Sequence, residues 1–235
     1  MNHSTLASHR QAAGFTLLEV IVVLSIITLL IGIAVPSLTS LSDSENVRAT
    51  RSELENLRTA VINYASDTET IPATLARLWQ DNTQGWGGPY VDAPVQGKSL
   101  SADSYDTDAW GNLYQYIRLS ATQAQISSYG PNGLRDGSQS GDDLELLVDI
   151  TPALRQRTQE KAEVLNGAID RYNSAYLPGT PLPTTAVQLV DRLQATGYLP
   201  PGNSWFRDAF GDFWQLSGSP VSYVFSSTFG LPLGH

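Results

Sequence analysis

Glu19 is a lone carboxylate inside the otherwise uncharged run Phe15–Val35. A carboxylate near the start of an apolar segment costs roughly a few kcal/mol even on lenient insertion scales. Either it snorkels to polar headgroups, or it neutralises a cation delivered when subunits pack. Asp142-Asp143 is the other grouping that could do chemistry. As an acid/base pair it is poor, because adjacent residues entering a strand point apart, and a turn or metal role suits it better. The GSQSG stretch puts Gln139 where a nucleophile elbow needs Ser. The three His are His3, His9 and His235, all at the chain ends, and there is no Cys. That excludes thiolate metal sites, disulfides and Cys nucleophiles, and leaves no internal base for a triad. No Gly-x4-Gly-Lys phosphate loop occurs either. The expectation is a protein that is not an enzyme.

The elements that must position Glu19 follow from the pattern around it. No Lys or Arg lies between Arg10 and Arg48. Phe15–Val35 holds 16 apolar residues of 21, broken by Thr16, Glu19, Ser25, Thr28 and Gly32. As a helix it would be about 31 Å long, near the hydrocarbon thickness of a bilayer, and it is apolar all round. A core helix would be shorter and amphipathic. A cleaved signal peptide would have a small-x-small site after the run, where this chain has Pro36-Ser37-Leu38-Thr39. Beyond it, Leu54, Leu57, Val61 and Tyr64 repeat at helical spacing, with Ser42 or Ser44 as a possible cap. The pattern predicts one long helix, kinked at Pro36, whose second half buries a stripe on a small sheet. The 235 residues carry 14 Lys+Arg and 23 Asp+Glu, a net charge of −9. That balance argues against a nucleic-acid partner, which needs a basic face.

The N-terminal residues MNHSTLASHRQAAG-FTLLEV resemble the type IV pilin and type II secretion pseudopilin superfamily. A short polar leader ends at Gly14, Phe15 opens the apolar run, and Glu19 lies five residues into it. The resemblance implies that a prepilin peptidase cuts between Gly14 and Phe15 and methylates the new Phe15 amine. It implies a span that anchors the subunit in the inner membrane and later packs in a filament core. It also implies that Glu19 pairs with the Phe15 amine of a neighbour, two groups each costly alone in hydrocarbon. The leader, with only Arg10 and two His, is less basic than is common in the superfamily, but the orientation is unchanged: leader cytoplasmic.

Further on, IPATLARLWQDNTQGWGGPYVDAP reads as a loop with a short helix near Leu75–Trp79. Asp108–Ile117 reads as a turn entering a strand, with further strands at Gln125–Tyr129 and Leu144–Val148. The motifs Trp86-x-Gly88-Pro89-Tyr90, Asp108-x-Trp110-Gly111-x-x-Tyr114-x-Tyr116, Ser128-x-Gly130-x-Asn132-Gly133 and Asp143-Leu144 resemble the major pseudopilins of type II secretion over about residues 1–150. In that group the Gly-rich loop before the last strand binds calcium. The resemblance therefore implies calcium at Asn132, Asp136, Asp142 and Asp143, with Pro131 and Leu134 carbonyls available. Asn132 stands where Asp is common and Asp136 where Gly is usual. A plain acidic turn is the alternative.

Residues 151–235 read as a second copy of the globular half. Leu57-x-x-Ala60-Val61-x-x-Tyr64 matches Leu165-x-x-Ala168-Ile169-x-x-Tyr172 at an offset of 108. Asp108–Gln115 matches Asp208–Gln215 at 100, and Ser127–Gly130 matches Ser227–Gly230 at the same 100. Ordered matches at near-equal offsets read as tandem duplication. The copy is expected to start its helix at Thr151-Pro152, Thr as cap and Pro in the first turn. It lacks the apolar half-helix and the Asp cluster. Its expected core is Val164, Leu165, Ile169, Tyr172, Leu193, Tyr198, Phe210, Phe213 and Trp214.

The expected fold class is α+β: a long N-terminal transmembrane-plus-amphipathic helix on a small antiparallel sheet, then a second helix-on-sheet head. The segments are a leader at 1–14, a membrane span at 15–35, a first head at 36–150 and a degenerate second head at 151–235. The expected function is a structural subunit, minor or at the tip, of a type II secretion pseudopilus or related filament. A monomeric membrane-anchored periplasmic binding module is the alternative. Expected partners are the prepilin peptidase, other pseudopilins or pilins and the inner-membrane assembly platform. The expected location is the bacterial inner membrane, single-pass with periplasmic heads, and then the periplasmic filament.

Overall fold

The computed structural model describes residues 16–92, 107–135, 141–177, 179–219 and 223–227, with the side chains of 31–41 outside that set. Helix α1 runs over Leu17–Thr68, 52 residues. It is continuous through Pro36, Ser42 and Ser44, so neither serine caps a new helix. The chain divides into two units, residues 1–48 and 49–235.

Within the second unit, the end of α1 is amphipathic. Leu54, Leu57, Ala60, Val61, Tyr64 and Ala65 recur at helical spacing and are all buried. They pack on the inner face of a three-stranded antiparallel sheet, order β1-β2-β3: β1 Gln115–Arg118, β2 Gln123–Ser128 and β3 Leu144–Asp149. The register sets Tyr116 against Ile126 and Ile126 against Leu146. Alternation then sends Ala124, Ile126 and Val148 inward and Gln125 and Leu147 to the other face. Burying side chains the size of Ile126 and Val148 stabilises the head by about 1.5–3 kcal/mol each. α1 stops after Thr68, whose hydroxyl donates back to Tyr64 O at 2.8 Å. Glu69 follows in the left-handed region at φ +57. The short helix expected near Leu75 is a single 3-10 turn, Leu75–Leu78.

Helix α2, Thr151–Tyr176, follows β3 directly. The expected Thr151 cap is corrected. Thr151 is already helical, Ile150 is the N-cap residue without a side-chain bond, and Asp149 Oδ1 accepts from Thr151 N at 2.8 Å. A carboxylate there is favoured by the positive helix end. Leu165, Ala168, Ile169 and Tyr172 form the buried stripe of α2. They pack with Trp214 and Phe225 from a two-stranded antiparallel hairpin, β4 Gln215–Ser217 and β5 Val224–Ser226. A third helix, α3 Ala186–Ala195, was not expected; Thr185 caps it, accepting from Gln188 N. Leu189, Val190 and Leu193 of α3 are buried against the same core.

Three expected core residues are corrected. Val164 is 42% and Phe213 53% exposed, while Phe210 packs on the core of the first sheet instead. Val164 lies one position before the buried Leu165, which turns it off the stripe. Phe213 is covered by the Arg207 guanidinium, 3.8 Å from its ring centroid.

Candidate functional site

The sequence-predicted site residues fall in two places. Gly14 and Phe15 lie outside the described residues. Glu19 is in the first turn of α1, exposed, where the unpaired N–H groups of a helix end favour a carboxylate. Thr16 Oγ1 accepts from Glu19 N at 3.3 Å. Among the described residues Glu19 makes no ion pair. Every residue of 16–30 is exposed, with Leu17, Leu18 and Leu29 at 79%, 73% and 65%. Two hydroxyls in this stretch are satisfied locally: Ser25 Oγ donates to Val22 O at 2.8 Å and Thr28 Oγ1 to Leu24 O at 3.0 Å. Hydroxyls bonded back to the preceding turn need no water, so they suit an apolar surrounding. Among the described residues no helix is long and apolar enough to cross a membrane.

The second place is the loop before β3. Asp136 lies outside the described residues. Asn132 is exposed, and its Oδ1 accepts from Leu134 N at 2.7 Å, folding the turn on itself. Asp142 and Asp143 are half-buried at the far end. The two ends meet: Gly130 sits at φ +62, and a Cβ on it would lie 2.7 Å from the Asp142 carbonyl oxygen. Asn112 pins this closure, donating from Nδ2 to Gly130 O at 2.6 Å. The donors are all oxygen, the chemistry calcium prefers. Among the described residues no group of three or more His, Cys, Asp or Glu could hold a metal.

The sheet entry carries a constellation that composition alone did not reveal. Asp108 is 2% exposed. Its Oδ1 accepts from Trp110 N at 3.0 Å and Asn112 N at 2.8 Å, and its Oδ2 accepts from Ser128 Oγ at 2.6 Å. Thr50 Oγ1, buried on α1, accepts from Ala109 N at 3.2 Å. The second half repeats the pattern, with the serine one position out of the aligned register: Ser128 aligns with Thr228, and Ser227 makes the bond instead. Asp208, 1% exposed, accepts on Oδ1 from Phe210 N at 3.0 Å and Asp212 N at 2.9 Å. Its Oδ2 accepts from Ser227 Oγ at 2.5 Å, and Thr158 Oγ1 on α2 accepts from Ala209 N at 3.1 Å. Gly111 and Gly211 both have φ +88, which the tight turn demands and a side chain would resist. Thr50 and Thr158 are separated by 108, the offset of the helical stripes. Sequence reasoning passed over both threonines, although that offset was the signal. One substitution differs in kind: Asp212 stands where Asn112 does, and a carboxylate has no N–H to pin a loop.

Around these turns, tyrosines tie the first head together. Tyr114 OH donates to Glu53 Oε2 at 2.6 Å, and burial together with that carboxylate pushes the phenol far up. Burial and the Asp67 carboxylate push Tyr90 up to about 12. Asp81 is held down at about 2, first by the Tyr64 hydroxyl, then by Thr83, the Asn82 N–H and Arg77.

Two family descriptions match the chain. The prokaryotic N-terminal methylation motif covers residues 9–35. Type II secretion system protein G covers residues 37–147, ending before α2. Among curated proteins, the chain is 30% identical over 141 residues to the type II secretion system core protein G of Pseudomonas aeruginosa, covering 57% of this chain and 94% of that protein. It is 28% identical over 134 residues to the protein of the same name from Dickeya chrysanthemi, covering 54% and 82%. The corresponding protein of Xanthomonas campestris is 26% identical over 141 residues, covering 59% and 92%. No solved structure matches.

Proposed function

Because the chain belongs to the type II secretion system protein G family, we propose that it is a structural subunit of a type II secretion pseudopilus. One observation carries this reading. A single helix, α1, bears the methylation motif and Glu19 at one end and buries its stripe on the sheet of the matched head at the other. In the proposed assembly a prepilin peptidase cuts between Gly14 and Phe15 and methylates Phe15. The apolar run holds the precursor in the inner membrane with its heads in the periplasm, and Glu19 then takes the Phe15 amine of a neighbouring subunit. The inner-membrane assembly platform and other pseudopilins are its partners. The loop closed by Gly130 and Asp142 holds calcium through Asn132, Asp136, Asp142 and Asp143, which would fix the approach to β3.

Residues 151–235 are a second, degenerate head. The repeated Thr–Asp–Ser constellation supports this, as does a helix packed on a hairpin in the same order. A doubled head is bulky in every step of a close-packed filament, which favours a minor or tip position.

Processing is the test. Mass spectrometry of the chain from cells with active peptidase should find Phe15 at the N-terminus, carrying one methyl. An intact Met1 would contradict the reading. Replacing Gly14 with a bulky residue should leave the precursor uncut in the membrane.

A further inference from the structure

Between the two halves of the second unit lies a cleft of about 400 Å³. Ile71, Leu154 and Ala209 are among its apolar lining residues, and Arg118 and Arg207 are its basic ones. Arg118 comes from β1, and Arg207 precedes the Asp208 turn. Both are exposed, and among the described residues neither is in an ion pair.

The two acids lining the same cleft are already engaged. Glu69 takes Lys161 Nζ on both carboxylate oxygens at 3.0 Å, with Arg157 Nε at 3.7 Å. Asp208 is consumed by Ser227 and the two turn N–H groups. In a chain of net charge −9, the cleft thus joins two exposed arginines to two acids already engaged, Glu69 by Lys161 and Asp208 by hydrogen-bond donors. Arg207 is also oriented in advance. Its Nη1 donates to Gly211 O at 2.6 Å and its plane rests 3.8 Å from the Phe213 centroid. A guanidinium has five N–H donors in a fixed fork, so several remain for a ligand, at reduced ordering cost.

We propose that this cleft binds a carboxylate on an apolar stem, presented by an acidic peptide segment of a partner protein. A carboxylate fits the fork geometry of guanidinium groups, and the apolar lining takes the neighbouring side chain. A nucleic acid is disfavoured, because two cations within an acidic surface do not make the basic track a phosphate backbone needs. The inference does not depend on the filament reading.

The test uses the full chain in detergent and a fluorescein-labelled hexapeptide alternating leucine and aspartate. Its asparagine counterpart is the control, and anisotropy is the readout. The acidic peptide should bind at least about tenfold more tightly than the control, and high salt should weaken it. Arg118→Glu with Arg207→Glu should remove that difference, whereas Arg58→Glu, on α1, should keep it. Equal binding of the two peptides, no binding of the acidic one, or unchanged binding to the double variant would overturn the proposal. So would an oligonucleotide of matched charge displacing the peptide at lower concentration than unlabelled peptide does. If the double variant melts early, the peptide pair and the salt series on the native chain decide the matter alone.

Discussion

Lys161 Nζ donates to both carboxylate oxygens of Glu69 at 3.0 Å, joining the middle of α2 to the residue just after α1. Lys161 is 3% exposed and Glu69 22%. Burial lowers the Lys161 pKa and the Glu69 charge opposes that drop. The pair therefore holds the two halves of the head in a fixed relation, and its partners are not equivalent.

Glu69→Gln should cost more than Lys161→Met. The first leaves a buried ammonium without its counter-charge, a loss of about 3–5 kcal/mol. The second leaves a carboxylate that is partly solvated and still faces Arg157. Thermal melting of both variants checks the order; equal losses would contradict the inequivalence of the two partners.

Asp108→Ala and Asp208→Ala should destabilise by similar amounts, each about 3 kcal/mol. Each strands two turn N–H groups and a serine hydroxyl in a buried place. Hydrogen exchange should show Asp108→Ala opening the β1–β2 region first and Asp208→Ala the β4–β5 hairpin. A large effect from one and none from the other would break the equivalence of the halves.

The Asp81 carboxyl, at about 2 when folded against 3.8 otherwise, makes a signed pH prediction. A depressed folded value means its stabilisation is present above pH 3.8 and is lost as pH falls toward 2. Asp81→Asn should flatten the loss of stability in that window and leave the slope at neutral pH alone. Acid-unfolding curves that superimpose would contradict it.

The calcium proposal is checked by melting the full chain in detergent with calcium and with a chelator. Saturation at about 100 times the dissociation constant should add roughly 2.7 kcal/mol. Asn112→Ala should weaken the response, because it removes the bond closing the loop at Gly130. Identical curves would leave a plain acidic turn.

Much of this was legible because it is periodic or local. The stripes Leu57, Val61, Tyr64 and Leu165, Ile169, Tyr172 needed only 3.6-residue spacing, and all six are buried. The strands Leu144–Asp149 and Gln123–Ser128 lie within two residues of their expected ends. What was missed depends on distant partners. Thr50 and Thr158 look like ordinary helix-surface residues until Ala109 and Ala209 are brought beneath them. Helix α3 is short and sits behind Pro181-Leu182-Pro183, and the spacing of Leu189, Val190 and Leu193 carried no helix assignment. Phe213 was assigned to the core by residue type, whereas a guanidinium above it supplies its cover. Of the candidate site, Glu19 stood out because a charge inside an apolar run is anomalous. The Arg118–Arg207 cleft was invisible, because nothing in the chain order sets those residues together.

The most direct test of the central claim is assembly. The chain has no Cys, so single cysteines introduced on the exposed face of the first head can report neighbours by crosslinking in cells that make the secretion machinery. The native chain should crosslink into ladders with pseudopilin subunits and appear in sheared filaments. Glu19→Val, which keeps the apolar run but removes the carboxylate proposed to take the Phe15 amine, should still reach the membrane and lose the ladder. A Glu19→Val chain that crosslinks like the native one, or a native chain that stays monomeric, would contradict the account.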